Sequence, residues 1–102
     1  MAVYVDTMRA NYGRMKMCHM IADSHEELMA MVDSIGVDRK WIQYPGTHRE
    51  HFDIALGKRK LAVDKGAIEV SIMELGRILR ARREGIAYTP KPERPVQMGF
   101  LI

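Results

Sequence analysis

The sequence predicts a small α/β layered domain, built on a three- to four-stranded, mainly parallel sheet with about three helices. Short runs rich in β-branched and aromatic residues recur at Ala2-Val3-Tyr4-Val5, Lys40-Trp41-Ile42-Gln43-Tyr44 and Ala67-Ile68-Glu69-Val70, the composition of strands. Two S-x-x-E capping boxes, Ser24 with Glu27 and Ser71 with Glu74, each open an apolar stripe of helical period. The two kinds of segment alternate, and helices that separate short buried strands pack on the faces of a sheet.

The first strand ends at Asp6. Residues 7–16, with Asn11, Gly13 and three cations, read as a loop, and Met17–Ala22 suits strand or helix equally. After Ser24, the residues Leu28, Met31, Val32 and Ile35 fall at i, i+3, i+4, i+7, and Gly36 stands where a left-handed stop belongs. Residues 24–35 therefore read as helix. Lys40–Tyr44 reads as the second strand, closed by the turn Pro45-Gly46-Thr47. His51-Phe52-Asp53-Ile54 alternates polar and apolar, as a short strand or an extended entry to a helix. Gly57 is placed to cap a helix from Lys58 to Lys65 that stops at Gly66. Ala67–Val70 is the third strand. Ile72, Leu75, Leu79 and Ile86 share one stripe, so residues 72–84 read as helix ended by Gly85, with Arg77, Arg80 and Arg83 mostly off that stripe. Pro90, Pro92 and Pro95 keep the tail extended, and Met98-Gly99-Phe100-Leu101-Ile102 gives it an apolar end. The expected organisation is one α/β domain over residues 1–88 and a proline-rich tail over 89–102. An apolar end of this kind docks on its own domain or mediates homo-oligomerisation.

The 102 residues amount to one domain. The lone cysteine, Cys18, excludes an internal disulfide and suits a reducing compartment. No apolar run reaches membrane-spanning length, and no secretory pattern opens the chain, so a cytoplasmic protein without a membrane partner is expected. The net charge of +3 is unevenly spread. Residues 39–60 and residues 77–102 each carry a net of +4, while residues 1–38 carry −3 and 61–76 carry −2. Two basic blocks form an anion-attracting surface if the fold brings them together. Otherwise they are ordinary solvated faces.

Chemistry concentrates in a few polar residues. Asp6 closes an apolar strand, where a carboxylate either points out to a ligand or caps a turn. His51 and Asp53 form an H-x-D whose period of two puts both side chains on one face of an extended segment. His19 and Asp23 align if their segment is helical. Asp6, His19, His51 and Asp53 make a mixed nitrogen and oxygen set suited to a divalent metal such as zinc, manganese, magnesium or iron. The same residues serve metal-free acid–base chemistry, or stand as structural histidines with satisfied partners. Lys58 and Arg59, in the first turn of their helix, lie where the dipole favours an anion, and phosphate is the natural guess. Met15, Met17, Cys18, His19 and Met20 look like a soft copper cluster, but nine methionines in the chain mark methionine as core filler. Neither a Walker loop nor a G-x-G-x-x-G is present, which argues against the usual nucleotide-binding modes.

Val3-Tyr4-Val5-Asp6, Gly13-Arg14, Cys18-His19-Met20 with Ala22-Asp23, Glu26-Glu27-Leu28 closing at Ile35-Gly36, Trp41, His51-Phe52-Asp53-Ile54, Lys58-Arg59 and Gly66-Ala67 occur in the order found in a bacterial and phage family, the domain of unknown function numbered 4031. The chain resembles that family over roughly residues 2–70. Phe52, Gly57 and Met29 stand where the family often has tyrosine, serine and histidine, which weakens any site built on the helix that carries Met29. The family has no established activity. The resemblance implies a bacterial or phage cytoplasmic setting and groups Asp6, Arg14, His19, Asp23, His51, Asp53, Lys58 and Arg59 as one constellation.

The leading expectation is a small hydrolase or ligand-binding domain for a phosphorylated substrate, a nucleotide or a nucleic-acid end. Arg14, Lys58 and Arg59 would hold phosphate, and Asp6, His51 and Asp53, assisted by His19, would supply acid–base chemistry or hold the metal. The alternative is a non-enzymatic basic adaptor that binds nucleic acid or a host protein through Arg77, Arg80 and Arg83.

Overall fold

The computed structural model of the protein describes residues 2–12 and 15–93. They form strands β1 (Val3–Val5), β2 (Ala10–Tyr12), β3 (Met15–Ala22), β4 (Phe52–Ala55) and β5 (Ile68–Glu69), and helices α1 (His25–Ile35), α2 (Leu56–Asp64) and α3 (Ile72–Glu84). Arg39–Trp41 adds a single 3-10 turn.

The eight-residue β3 is the spine of the sheet. Met20 pairs with both Val5 of β1 and Phe52 of β4, and Met17 pairs with both Ala10 of β2 and Ala55 of β4. A strand has two edges, so β4 occupies one edge of β3 while β1 and β2 share the other. Strand β5 joins β1, giving the order β4-β3-β1-β5 with β2 prolonging the β1 side. The sheet is mixed, not mainly parallel: β3 is antiparallel to β1, β2 and β4, and the parallel pair among the described strands is β1 with β5.

The expected loop over residues 7–16 contains β2 and the start of β3, a polar hairpin without the β-branched residues that announce strands. Lys40–Tyr44 is likewise not a strand. The Asp38 carboxylate accepts from the Lys40 amide and stabilises the 3-10 turn, leaving one bridge, Gln43 to His51, as its contribution to pairing. Helix α2 begins at Leu56 with Ala55 as N-cap, so Gly57 lies inside the first turn rather than capping it.

Alternation along the strands builds two cores. Val3, Val5, Cys18, Met20, Ala22, Phe52 and Ile54 face α1 and α2, which supply Leu28, Val32, Ile35 and Ala62. Tyr4 and Ile21 face the other way, under Leu75 and Ile78 of α3. The result is a three-layer α/β/α arrangement with one helix on the second face. Helices α1 and α3 run between the residues the sequence marks, with Ser24 and Ser71 accepting from the Glu27 and Glu74 amides and Gly36 and Gly85 left-handed at their ends. After α3 the chain folds back: the Glu93 amide donates to the Glu69 carbonyl. Residues 94–102, and with them the apolar end, lie outside the described residues. Among the described residues no helix is long and apolar enough to cross a membrane.

Candidate metal centre

Register creates the site. The Asp6 amide donates to the His19 carbonyl at 3.1 Å, and His19 pairs with Asp53. Directly opposed residues place their side chains about 5 Å apart on one face. Asp6, His19 and Asp53 therefore form a row across β1, β3 and β4, on the face that carries α3. His51, two residues before Asp53, shares that face and is tied in by its bridge to Gln43. Helix α3 covers Tyr4 and Ile21 but leaves His19 and Asp53 open, with 30% and 38% of their side-chain surface exposed.

Each candidate ligand is held from behind. Asp6 is fully buried. Its Oδ1 accepts from the amides of His19 at 2.9 Å and Met8 at 3.3 Å, and its Oδ2 lies 2.7 Å from His19 Nδ1. An ionised carboxylate only accepts, so in this pair His19 Nδ1 carries the proton, and Nε2 of the neutral ring is a lone pair. His51 Nδ1 lies 2.7 Å from the Arg49 carbonyl, which fixes the same tautomer. Gln43 Nε2 donates to Asp53 Oδ2 at 2.6 Å and leaves Oδ1 to the site.

The freed atoms converge. Asp53 Oδ1 is 3.5 Å from His51 Nε2 and 3.8 Å from His19 Nε2, and one donor atom from each of the three residues falls within 4.8 Å of the others. A tetrahedral ion with bonds of about 2.1 Å separates its ligands by about 3.4 Å. The cluster is thus close to coordination spacing. Three unprotonated acceptors that face one point repel each other until a cation or a proton stands between them. The hydrogen bond that His19 donates to Asp6 raises the proton affinity of His19, burial opposes it, and the charges of Asp6 and Asp53 add to the rise.

Ring packing completes the frame. His19 and His51 meet edge to face at 5.3 Å, and Tyr44 stacks on His51 at 5.9 Å. The Arg49 guanidinium lies 4.2 Å over the Tyr44 ring. Tyr44 has φ of 51°, a left-handed conformation that costs a non-glycine residue about 1 kcal/mol or more. Such strain persists where surrounding contacts over-determine it, here the two ring contacts.

The other expected site residues lie elsewhere. Lys58 and Arg59 are on α2, across the sheet from His51 and Asp53. Lys58 Nζ would stand 3.3 Å from a Cβ at Gly36, so it sits at the carboxyl end of α1, where a cation is favoured. Arg59 donates to the Asp6 carbonyl and to Glu69 Oε1, both at 3.0 Å, and thereby braces β1 against β5. Arg14 lies outside the described residues. Asp23 follows a strand rather than sitting in a helix, and it accepts from the Ala2 amide and the Tyr4 hydroxyl. Cys18 points into the opposite core, where burial pushes its thiol up to about 12. Arg77 pairs with buried Glu74, and Arg80 and Arg83 both reach Glu84. The sequence reading gave no site role to Gln43 or to the Arg49 carbonyl, and pointed to the residues after Gln43 only as the end of a strand. Their roles arise from a bridge and a turn, which leave no periodic signal.

A family model described as "Protein of unknown function (DUF4031)" matches residues 3–82, from β1 through most of α3. No curated protein and no solved structure matches the chain.

Proposed function

Because the chain belongs to the DUF4031 family, whose description assigns no activity, we propose from the site itself that it is a divalent-metal-dependent hydrolase of phosphorylated substrates, a nucleotide or a nucleic-acid end. The observation that supports this reading is the back-side restraint on each ligand. Asp6 holds His19, the Arg49 carbonyl holds His51, and Gln43 holds Asp53, while the opposite atoms face one another. Metal-binding imidazoles are oriented in this way.

Two imidazoles and one carboxylate suit zinc, manganese or iron better than magnesium, which prefers oxygen throughout. His19, His51 and Asp53 would hold the ion, which when bound would supply charge stabilisation and activation of water at neutral pH. Asp6 keeps the His19 lone pair aimed at the site and balances the positive charge that collects there. The half-exposed Asp53 marks the side from which substrate enters.

The test is hydrolysis of bis(p-nitrophenyl) phosphate with added zinc or manganese. The wild type is expected to turn it over, and Asp53→Asn and His51→Gln to lose that turnover while their folded circular dichroism is kept. A silent wild type with every metal, or activity that survives Asp53→Asn, overturns the reading. A second reading has its own observation. The 2.7 Å contact between buried Asp6 and part-exposed His19 is also the geometry of a metal-free acid–base pair. Activity that resists exhaustive chelation selects that reading.

A further inference from the structure

Beside the candidate metal centre runs a groove of about 430 Å³, lined by His48 and Arg49 on one wall and by Gly76, Leu79, Arg80 and Arg83 on the other. The four α3 residues are spaced i, i+3, i+4, i+7, so one face of that helix forms a whole wall. Gly76 leaves that wall low, since nothing stands within 4 Å of where its Cβ would be. Three arginines line it. Arg80 and Arg83 share a single carboxylate, Glu84, at 3.1 and 3.7 Å, and Arg49 has no ion-pair partner among the described residues. The groove therefore carries uncompensated positive charge. It also adjoins the metal site: Arg49 lies over Tyr44, Tyr44 stacks on His51, and the Arg49 carbonyl holds His51 Nδ1. The fold has thus brought the basic block of residues 39–60 against that of α3.

We propose that this groove is the track for single-stranded nucleic acid, whose phosphodiester backbone lies along Arg80, Arg83 and Arg49 and reaches the site at His51. The inference rests on the hydrolase reading and names its substrate class. Guanidinium forks suit phosphate oxygens. His51 keeps only 13% of its side chain exposed, so a reacting phosphate has to be brought in by a flexible strand or an end rather than the middle of a rigid duplex. Arg77 does not line the groove. It is committed to Glu74, so the strand contacts belong to Arg80, Arg83 and Arg49 and not to every arginine of the helix.

The experiment is fluorescence anisotropy of a labelled oligothymidylate, in chelator so that no cleavage occurs, across a salt series. The wild type is expected to bind with an affinity that falls steeply with salt. The double variant Arg80→Gln/Arg83→Gln is expected to bind about ten-fold or more weakly, with the log–log salt slope shallower by about 1.4, roughly 0.7 for each lost phosphate contact. Arg77→Gln is expected to bind as the wild type does. Unchanged binding in the double variant, an equal loss in Arg77→Gln, or tighter binding of the matching duplex would each overturn the proposal. Metal uptake by the same proteins separates the two claims. A wild type that binds the strand through Arg80 and Arg83 yet takes up no ion leaves the groove standing as that of a non-enzymatic adaptor. One that takes up the ion but binds the strand independently of those arginines loses the groove alone.

Discussion

Asp6 ends an apolar strand and has no water to solvate it, so its charge is stabilised by the two amides and the imidazole that surround it. Asp6→Asn can present its NH₂ to Nδ1 and reverse the tautomer, which turns the Nε2 lone pair into a donor. Zinc affinity is expected to drop about 10- to 100-fold, the usual effect of losing such a partner, as read by competition with a chromophoric chelator. His19 also sets a pH dependence whose sign follows from its raised proton affinity. Its folded-state pKa lies above the ordinary 6.5, so in the metal-free protein the charged ring stabilises the fold fully below about pH 6.5. That contribution is lost as pH rises through the higher folded value. The melting-temperature gap between wild type and His19→Asn should accordingly be widest below about pH 6.5 and narrow as pH rises through the folded value. Metal uptake should run in the opposite direction and strengthen as the ring deprotonates. A gap that widens with rising pH would contradict the Asp6–His19 pair.

At the scale of elements, the legible parts of the sequence were those specified by local chemistry. Ser24 with Glu27 and Ser71 with Glu74, closed by Gly36 and Gly85, mark α1 and α3 because a cap is satisfied within one turn of the chain. The hairpin of β2 and β3 and the turn at Arg39–Trp41 were not legible. The first depends on pairing at Ala10–Tyr12 and Met15–Met17, which hold no run of β-branched residues, and in the second the Lys40 amide donates to the Asp38 carboxylate and overrides the apparent strand pattern. Helix α2 lacks a side-chain cap at Ala55. Ala55→Ser is therefore expected to raise stability by about 0.5–1 kcal/mol in urea unfolding, and a destabilised variant would show that Ala55 is needed as it is. Buried Glu74 ties the segment after α3 to the domain. It accepts from the Tyr88 hydroxyl at 2.5 Å, the Lys91 amide at 2.8 Å and Arg77 at 3.0 Å. Burial alone would push its carboxyl up, but these three donors together hold it below the ordinary 4.5. The resulting stability is present above about pH 4.5 and is lost as pH falls through the lower folded value. Glu74→Gln should flatten that acid limb and speed amide exchange over residues 86–93. Unchanged exchange there would show that Glu74 does not hold the segment.

Over the whole molecule, the sheet sorts residues by parity. In the buried half of β3, Cys18, Met20 and Ala22 enter the core under α1 and α2, while Ile21 packs under α3 and His19 shares its face, so one strand carries Cys18 and His19 to opposite fates. Because α3 is the only described helix on its face, part of that face stays open, and His19 and Asp53 fall in the opening with buried Asp6 behind them. The H-x-D at residues 51–53 and the carboxylate at Asp6 were visible in the sequence as chemistry. Their union was not, because it depends on the antiparallel register of β1 and β4 on β3. The same geometry takes Lys58 to the end of α1 and leaves Arg59 on the main chain of Asp6 and on Glu69 rather than among His19, His51 and Asp53. The central claim is that His19, His51 and Asp53 together bind a divalent ion. Isothermal titration of metal-free protein with zinc and with manganese measures it. The account predicts one ion per chain, with uptake abolished in Asp53→Asn and His51→Gln and weakened in Asp6→Asn. No uptake of either ion, or uptake indifferent to those three substitutions, would contradict it.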